Sequence, residues 1–143
     1  MITYADSSAL VAWFHPEDEF AIQVTHWVKE NVTDLVWNPV LRAEVRHNLR
    51  KLRSSYARTA WNALRASEKS GRLSYGREKL QDLLEHADDL SAEKALAVPA
   101  GTWDFFHVAA ALRVRAQAFA TCDKLQAELA RAVNLRVVKL FKA

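Results

Sequence analysis

Short apolar segments alternate with longer amphipathic segments along almost the whole chain, and this alternation restricts the fold more than any other feature. The short segments have the length and composition of buried strands, at residues 2–5, 34–37, 72–75, 118–121 and 135–140. Apolar residues at helical spacing predict helices over residues 7–14, 17–31, 39–53, 55–69, 77–97, 102–115 and 124–132, with a break near Asp88. This alternation favours an α/β fold with a short, mostly parallel central sheet.

The composition is that of an ordinary globular protein, with half of the residues hydrophobic and 26% charged. At 143 residues the chain is long enough to bury one core, and no internal repeat divides it. Cys122 is the only cysteine, which excludes an internal disulfide and fits a reducing compartment. The first residues lack a signal-peptide pattern, and no apolar stretch approaches the roughly 18 residues of a membrane helix. We therefore expect a single cytoplasmic domain over residues 1–143.

Charge is distributed unevenly although the net charge is only +3. Residues 42–79 carry eleven basic and three acidic side chains, whereas residues 1–41 carry one basic and six acidic ones. Such a basic segment is either a solvated helical face or a surface for a polyanionic partner. Composition leaves both interpretations open.

Three aspartates lie where strands end or helices begin. Asp6 follows the first strand, Asp123 follows the strand at 118–121, and Asp104 falls in the first turn of the apolar helix at 102–115. Aspartate is a common N-cap residue, so capping explains each of them singly. Ligands of parallel sheets also gather at the carboxyl ends of strands, which makes the same residues candidates for a site.

Glu44 is different because it lies too far inside its helix to cap it. On a helical wheel it falls beside Asn48, at one margin of the apolar stripe. The opposite flank carries a row of arginines that are candidates for contacts with the backbone of a polyanionic partner: Arg42, Arg46, Arg50 and Arg53. A solvated glutamate at the helix edge is the structural alternative.

If the four carboxylates of Asp6, Glu44, Asp104 and Asp123 converge, their repulsion requires a cation or raised pKa values. Oxygen ligands without a His or Cys cluster select a hard divalent ion, Mg²⁺ or Mn²⁺. Such an ion beside a basic surface suits hydrolysis of a phosphodiester, since the ion activates water and the arginines hold the backbone.

The segments "YADSSALVAWF", "NPVLRAEVRHNL", "TWDFFHVAAAL" and "FATCDKLQAELA", followed by "LRVVKL", resemble the PIN-domain family in the family's order. The chain is most similar to toxin ribonucleases of VapC type from toxin–antitoxin pairs. The resemblance implies a three-layer α/β/α sandwich, metal-dependent endoribonuclease activity on RNA, inhibition by a cognate antitoxin protein, and a homodimer.

Position by position, the resemblance assigns the catalytic and metal-binding carboxylates to Asp6, Glu44, Asp104 and Asp123. Ser7 and Thr121 match small hydroxyl positions beside the metal. The chain departs from the family pattern just before Asp104, where Trp103 and its neighbours stand in place of an arginine or another polar residue.

Several residues have competing interpretations. His107 is a candidate base or ligand, but on an apolar helix a packed, hydrogen-bonded histidine is the simpler interpretation. Cys122 has no marked basic partner, which favours an inert buried thiol. The tryptophans are expected mostly in the core, although Trp61 and Tyr56 lie in the basic segment.

Two other function classes compete with the nuclease. A non-catalytic RNA-binding protein on the same fold would use the basic segment but not the acids. A phosphoacceptor signalling domain would need a phosphorylatable aspartate at the end of a middle strand, and the strand at 34–37 runs into Asn38-Pro39 instead. Dependence on divalent metal separates the enzyme from the binding protein.

Overall fold

A computed structural model describes residues 2–31 and 34–140, and its strands form one parallel sheet. The strands in this part of the chain are β1 (Ile2–Ala5), β2 (Asp34–Trp37), β3 (Leu73–Tyr75), β4 (Ala118–Thr121) and β5 (Val137–Lys139). Their order across the sheet is β3-β2-β1-β4-β5, and every neighbouring pair is parallel. The parallel sheet predicted from the alternating pattern is therefore confirmed. This order also differs from the 2-1-3-4-5 order of phosphoacceptor domains.

The helices fall into two groups on either side of this sheet. They are α1 (Ser7–Phe14), α2 (Ala21–Glu30), α3 (Pro39–Arg50), α4 (Ser54–Lys69), α5 (Leu80–Lys94), α6 (Thr102–Arg113) and α7 (Lys124–Ala132) in the described part of the chain. Helix α1 packs against α2, α3 and α4, whereas α6 packs against α5 and α7. The three-layer α/β/α arrangement is thus confirmed.

Most predicted boundaries match the structure, and three helices differ for identifiable reasons. Helix α2 begins at Ala21 instead of residue 17, because the Asp18 side chain accepts the Phe20 N–H at 2.9 Å in a local turn. Helix α3 ends at Arg50 instead of residue 53, and Arg53 has extended backbone before α4. Helix α5 is shorter than predicted, Leu80–Lys94 instead of 77–97, and it runs unbroken past Asp88, whose side chain is exposed.

The core is largest around β1 and β4. Tyr4 and Phe119 stack across these strands with ring centroids 5.7 Å apart, and both are buried. Helix α6 is buried along most of its length, as its apolar sequence predicts. Trp37 is buried, whereas Trp103 is 50% exposed, so the expected core position fails for that tryptophan. None of the helices in residues 2–31 and 34–140 has the length and apolar character needed to cross a membrane.

Candidate active site

The carboxyl ends of the central strands form the edge of the sheet where the predicted acids lie. From β1 the sheet extends through β2 on one side and through β4 on the other, which places a topological switch point between β1 and β4. Asp6 directly follows β1, and Asp123 comes two residues after β4. Ligands of open parallel sheets bind at such switch points, so this edge is the candidate site.

Asp6 is the most buried of the predicted acids, with 5% of its surface exposed. Its Oδ1 accepts the Ala9 N–H at 3.1 Å and the Ser8 hydroxyl at 2.6 Å, which makes it the cap of α1. Its Oδ2 accepts the Thr121 hydroxyl of the neighbouring strand at 2.5 Å, a contact that a cap does not need. The hydroxyl beside Asp6 on the helix is that of Ser8, whereas Ser7 lines the cleft next to it.

The carboxyl group of Asp6 is fixed in place, and no ion pair among the described residues reaches it. Burial raises the pKa of Asp6, while hydrogen bonds from Ser8, Thr121 and Ala9, and the nearby His107 ring, lower it. A buried carboxylate in this state favours either a proton or a bound cation.

Gln126 connects Asp123 with Asp104. Asp123 is exposed and caps α7, since its Oδ1 accepts the N–H groups of Leu125 at 2.8 Å and Gln126 at 3.0 Å. The Gln126 side-chain amide donates to the Asp104 carbonyl at 3.3 Å, and its buried Oε1 has no partner among the described residues. Asp104 is half-buried, and its Oδ2 accepts the Gly101 N–H at 2.9 Å.

Glu44 is connected to strand β1 through a buried line of side chains. Its Oε1 accepts a short hydrogen bond from His107 Nε2 on α6. His107 Nδ1 contacts the Tyr4 hydroxyl at 2.7 Å, and the Asn38 amide donates to that hydroxyl at 3.0 Å. Burial raises the pKa of Tyr4 well above its ordinary value, so its phenol stays protonated. Glu44 is therefore not a freely solvated side chain.

This line is the main feature that sequence reasoning misses. His107 is 3% exposed, and both of its ring nitrogens have partners, which confirms a packed, hydrogen-bonded histidine. The same contacts leave His107 without a free nitrogen to act as a base. A lone histidine on an apolar helix is the only signal in the sequence, because its partners lie 63 and 103 residues away.

A cleft of about 340 Å³ opens beside Asp6, lined in part by Ser7, Asp18, Glu19, Asn48 and Asp123. Its carboxylates come from α7 and from the turn before α2, while α3 contributes the amide of Asn48. Asp18 and Glu19 belong to an acidic run that the sequence displays as a helix start. The cleft is therefore more acidic than the predicted residues alone would make it.

A sequence model of the PIN domain matches residues 3–132. The chain belongs to the PIN-domain family. No curated protein sequence matches it significantly.

Solved structures share this PIN fold over almost the whole chain. FitAcB from Neisseria gonorrhoeae has a TM-score of 0.63 and 16% identity, with 98% of both chains covered. A second structure is that of VapBC2 from Rickettsia felis bound to a DNA fragment from the VapBC2 promoter. It has a TM-score of 0.65 and 13% identity, with 97% of this chain and 98% of that chain covered. At these identities the likeness concerns the fold.

PIN domains are generally nucleases that use divalent metals, and the donors at this edge suit such an ion. The predicted ligands are carboxylates, Asp6 has no ion pair among the described residues, and the buried Gln126 Oε1 lies unpaired beside Asp104. Across the described residues, however, no group of three or more His, Cys, Asp or Glu side chains is arranged to hold a metal. Gln126 links Asp123 with Asp104, and Asp6 adjoins the cleft that Asp123 lines, while the direct hydrogen bonds of the four predicted acids go to other groups.

Arg42 and Arg46 lie on the other flank of α3 of this PIN domain and, together with Arg65 of α4, lie near the ring of Trp61. The Arg46 guanidinium carbon is 4.1 Å from the Trp61 ring centroid, and those of Arg42 and Arg65 are 5.5 and 5.7 Å away. Arg42 also donates twice to Glu68, at 2.8 and 3.1 Å. Trp61 is half-buried. It is therefore neither a fully buried core side chain nor a fully exposed ring that is free to stack on bases.

Arg46 and Arg50 remain the most available of the predicted arginines. They line a cleft of about 230 Å³ together with Leu49, Arg58 and Trp61. Partial desolvation and then the charges of neighbouring arginines lower the pKa of Arg46, a sign of uncompensated positive charge. Arg53 is exposed but lies outside α3, so it does not continue the helical row.

Cys122 is an inert thiol in this structure. It is buried, and burial raises its pKa to about 12, with further increases from Asp6 and Asp18. A thiol with this pKa is protonated at neutral pH, which removes the nucleophile that a cysteine mechanism would need.

Proposed function

We propose that this PIN domain is a divalent-metal-dependent endoribonuclease that hydrolyses phosphodiester bonds of RNA. The observation that carries the proposal is the buried carboxyl group of Asp6, held by Thr121 and Ser8 at the switch point without an ion pair among the described residues. Asp123 lines the adjoining cleft, and in this proposal Asp104 of α6 and Glu44 of α3 complete the ligand set.

In this proposal Asp6, Glu44, Asp104 and Asp123 hold Mg²⁺ or Mn²⁺. When bound, the ion supplies an activated water and neutralises charge on the phosphate. The protein's own residues prepare the site for it. Thr121 and Ser8 fix the Asp6 oxygens, Asp123 borders the open cleft, and the Gly101 N–H orients Asp104. Ser7 lines the cleft and is available to a ligand there.

The arginines of α3 are proposed to hold the RNA backbone. Arg46 and Arg50 are the strongest candidates because they line an open cleft and have no carboxylate partner among the described residues. Arg53 is exposed near the start of α4 and extends the positive surface. Arg42 is proposed to contribute less to RNA binding, because its guanidinium already donates two hydrogen bonds to Glu68.

We also propose that the protein is the toxin of a toxin–antitoxin pair and that a protein antitoxin inhibits it. The likeness of the fold to FitAcB and VapBC2 supports this role. A metal nuclease in a cell full of RNA also needs an inhibitor. Expression of this chain alone should arrest growth and degrade RNA, and co-expression of its antitoxin should restore both. Normal growth with intact RNA would contradict the toxin role while leaving nuclease activity testable in vitro.

A homodimer is the proposed assembly. Leu84 on α5 and Trp103 on α6 are exposed apolar side chains that such an interface would cover. Light scattering of the purified protein should give twice the mass of 16.2 kDa. A monomer at all accessible concentrations would contradict the dimer.

One observation favours a second candidate, a non-catalytic RNA-binding protein. The carboxylates of Asp6, Asp104 and Asp123 all accept backbone N–H groups at helix starts, and the described residues include no metal-ready cluster. The deciding experiment incubates purified protein and single-stranded RNA with Mn²⁺, with Mg²⁺ or with EDTA. Cleavage that requires metal and is lost in Asp6→Asn supports the enzyme. RNA binding without cleavage under every condition supports the binding protein.

A further inference from the structure

The buried hydrogen bonds between Asn38 and Glu44 run in one direction. Asn38 Oδ1 accepts the Leu41 N–H at 2.9 Å as the cap of α3, so the amide nitrogen must face Tyr4. That nitrogen donates to the Tyr4 oxygen, which leaves the single phenolic proton for His107 Nδ1. His107 then carries its own proton on Nε2 and donates it to the Glu44 carboxylate.

Every member of this line except Glu44 is buried. Tyr4 is 1% exposed, His107 3% and Asn38 7%. A buried polar group that loses its partner is not compensated by water, so each bond constrains the next one. The cap of α3 therefore sets the orientation of the His107 ring through the Tyr4 hydroxyl.

Glu44 is the one flexible member. Its side chain is 32% exposed and has three rotatable bonds. The arginines of α3 lie on the opposite flank, and the ion pairs of the described residues join Glu44 to none of them. The His107 Nε2–H is thus the contact that fixes where the Glu44 carboxylate lies.

We propose that Tyr4 and His107 are positioning residues that hold Glu44 for metal binding. The inference rests on the proposed function, because it takes Glu44 as a metal ligand. Groups that orient a ligand from behind typically change metal affinity or activity by about 10- to 100-fold when they are removed. If Tyr4 and His107 had only a structural role, their hydrogen bonds would stabilise the contact between α3 and α6, and their removal would leave metal affinity unchanged.

The first experiment measures Mn²⁺ binding by calorimetry, with the metal alone as the probe. In Tyr4→Phe and His107→Leu the Kd for Mn²⁺ should rise about 10-fold. In His107→Gln, whose amide can accept from Tyr4 and donate to Glu44, affinity should return to within about threefold of the wild type. Tyr75→Phe and His86→Leu are matched controls outside the line, and their affinity should be unchanged.

RNA cleavage separates positioning from folding. In Tyr4→Phe, the Mn²⁺ concentration that gives half-maximal cleavage should rise, while the rate at saturating Mn²⁺ stays near that of the wild type. Asn38→Ser provides a second test, because serine caps α3 about as well as asparagine but lacks the amide donor. It should shift the Mn²⁺ dependence in the same direction, and thermal melting should show that it is folded.

A third measurement needs neither metal nor activity. Nitrogen-15 NMR of the metal-free protein should show His107 as the neutral ring protonated on Nε2, assigned by its absence in His107→Gln. Tyr4→Phe and Asn38→Ser should lose this single tautomer. A wild-type ring protonated on Nδ1 would overturn the directed line.

The outcomes distinguish the two proposals. If the wild type binds Mn²⁺ and cuts RNA, but folded Tyr4→Phe and His107→Leu respond to Mn²⁺ as the wild type does, the positioning role is wrong and the nuclease stands. If the wild type neither binds Mn²⁺ nor cuts RNA, the proposed function fails, and the positioning role fails with it.

Discussion

Helix α3 separates two regions of opposite charge that are built in different ways. Its Glu44 and Asn48 flank faces the acidic edge of the sheet, and its Arg46 and Arg50 flank faces Trp61 on α4. At the acidic edge, Asp104 and Asp123 accept from neighbouring backbone, whereas Asp6 and Glu44 also contact side chains from distant parts of the sequence. Thr121, which holds Asp6, lies 115 residues from it along the chain.

The arginine flank is assembled more locally, and part of its charge is already neutralised. Arg42 and Arg65 both lie within reach of Glu68, and three guanidinium groups share the face of one indole. Asp6, by contrast, is a buried carboxyl group with no ion pair among the described residues. The comparison indicates that the rigidly held Asp6, which has no ion pair among the described residues, belongs to the candidate cation site. Of the predicted arginines, only those that do not contact Glu68 are available to bind an anion.

The largest expected effect comes from removing the charge of Asp6. Asp6→Asn should lower metal-dependent RNA cleavage by at least about 100-fold, because the neutral amide is a poor ligand for a hard divalent ion. The fold should survive, since asparagine caps helices about as well as aspartate. Cleavage assays with Mn²⁺, together with thermal melting, test this. Glu44→Gln, Asp104→Asn and Asp123→Asn should act in the same direction.

Asp88→Asn on α5 is the matched control, because it removes one exposed carboxylate elsewhere on the surface. It should leave cleavage unchanged. If Asp6→Asn lost stability but kept its cleavage rate, Asp6 would be only a helix cap. The acidic flank of α3 would then not face a metal site.

The next largest effect concerns the arginine flank. Replacement of Arg46 and Arg50 by Gln, in the Asp6→Asn background and in EDTA, should weaken binding of single-stranded RNA about 10-fold near 0.1 M salt. The log–log salt dependence should flatten by about one unit for each phosphate that the protein no longer neutralises. Binding measured at several salt concentrations tests both statements.

A charge-matched control replaces Arg113 and Arg131, which are exposed at the ends of α6 and α7. It should change binding much less. Arg42→Gln is a further comparison. It should cost about 1–2 kcal/mol of stability through the loss of the two hydrogen bonds to Glu68, and it should affect RNA binding only slightly. Equal salt slopes in all three proteins would identify the arginines as a solvated face.

The sequence predicts the elements of this fold well because its signals are local. The segment "AFAT" and the helix at 124–132 are bounded by their own apolar spacing, and both match the structure. The prediction that α2 begins at residue 17 is wrong because Asp18 prefers a hydrogen bond to its neighbouring backbone. Such a competition depends on the side-chain geometry of one turn, which apolar spacing does not report.

The candidate site is predictable only in part for the opposite reason. Asp6 and Asp123 are found from strand ends, because parallel topology brings those ends together. The partners of Glu44 and His107 are not found, since nothing local indicates that Tyr4 and α6 meet behind α3. The wheel position of Glu44 beside Asn48 indicates its flank, but not the histidine that it contacts.

A smaller effect follows from the raised pKa of Asp6, which lies above its ordinary value of 3.8. Between that value and the folded-state pKa, the folded protein binds more protons than the unfolded one, so metal-free stability falls as pH rises through this window. Asp6→Asn should lack this loss. Ser8→Ala should extend the window upward, because the Ser8 hydroxyl lowers the pKa of Asp6. Urea unfolding in EDTA at a series of pH values tests this, and identical pH profiles for wild type and Asp6→Asn would contradict it.

The smallest expected effect uses Cys122 as a probe of the negative field at the acidic edge. Burial is the main reason that its pKa is about 12, and Asp6 and Asp18 add to the shift. Asp18→Asn should therefore speed alkylation of the native thiol by only about two- to threefold, as expected for one screened charge. The Asn side chain can still accept the Phe20 N–H, so the turn before α2 should persist. Iodoacetamide labelling followed by mass spectrometry measures the rate, with Asp88→Asn as the control. If Asp18→Asn left the rate unchanged, or if wild-type Cys122 reacted as fast as it does in urea, the thiol would not lie in the field of these carboxylates, and the acidic edge would be less charged than its contacts indicate.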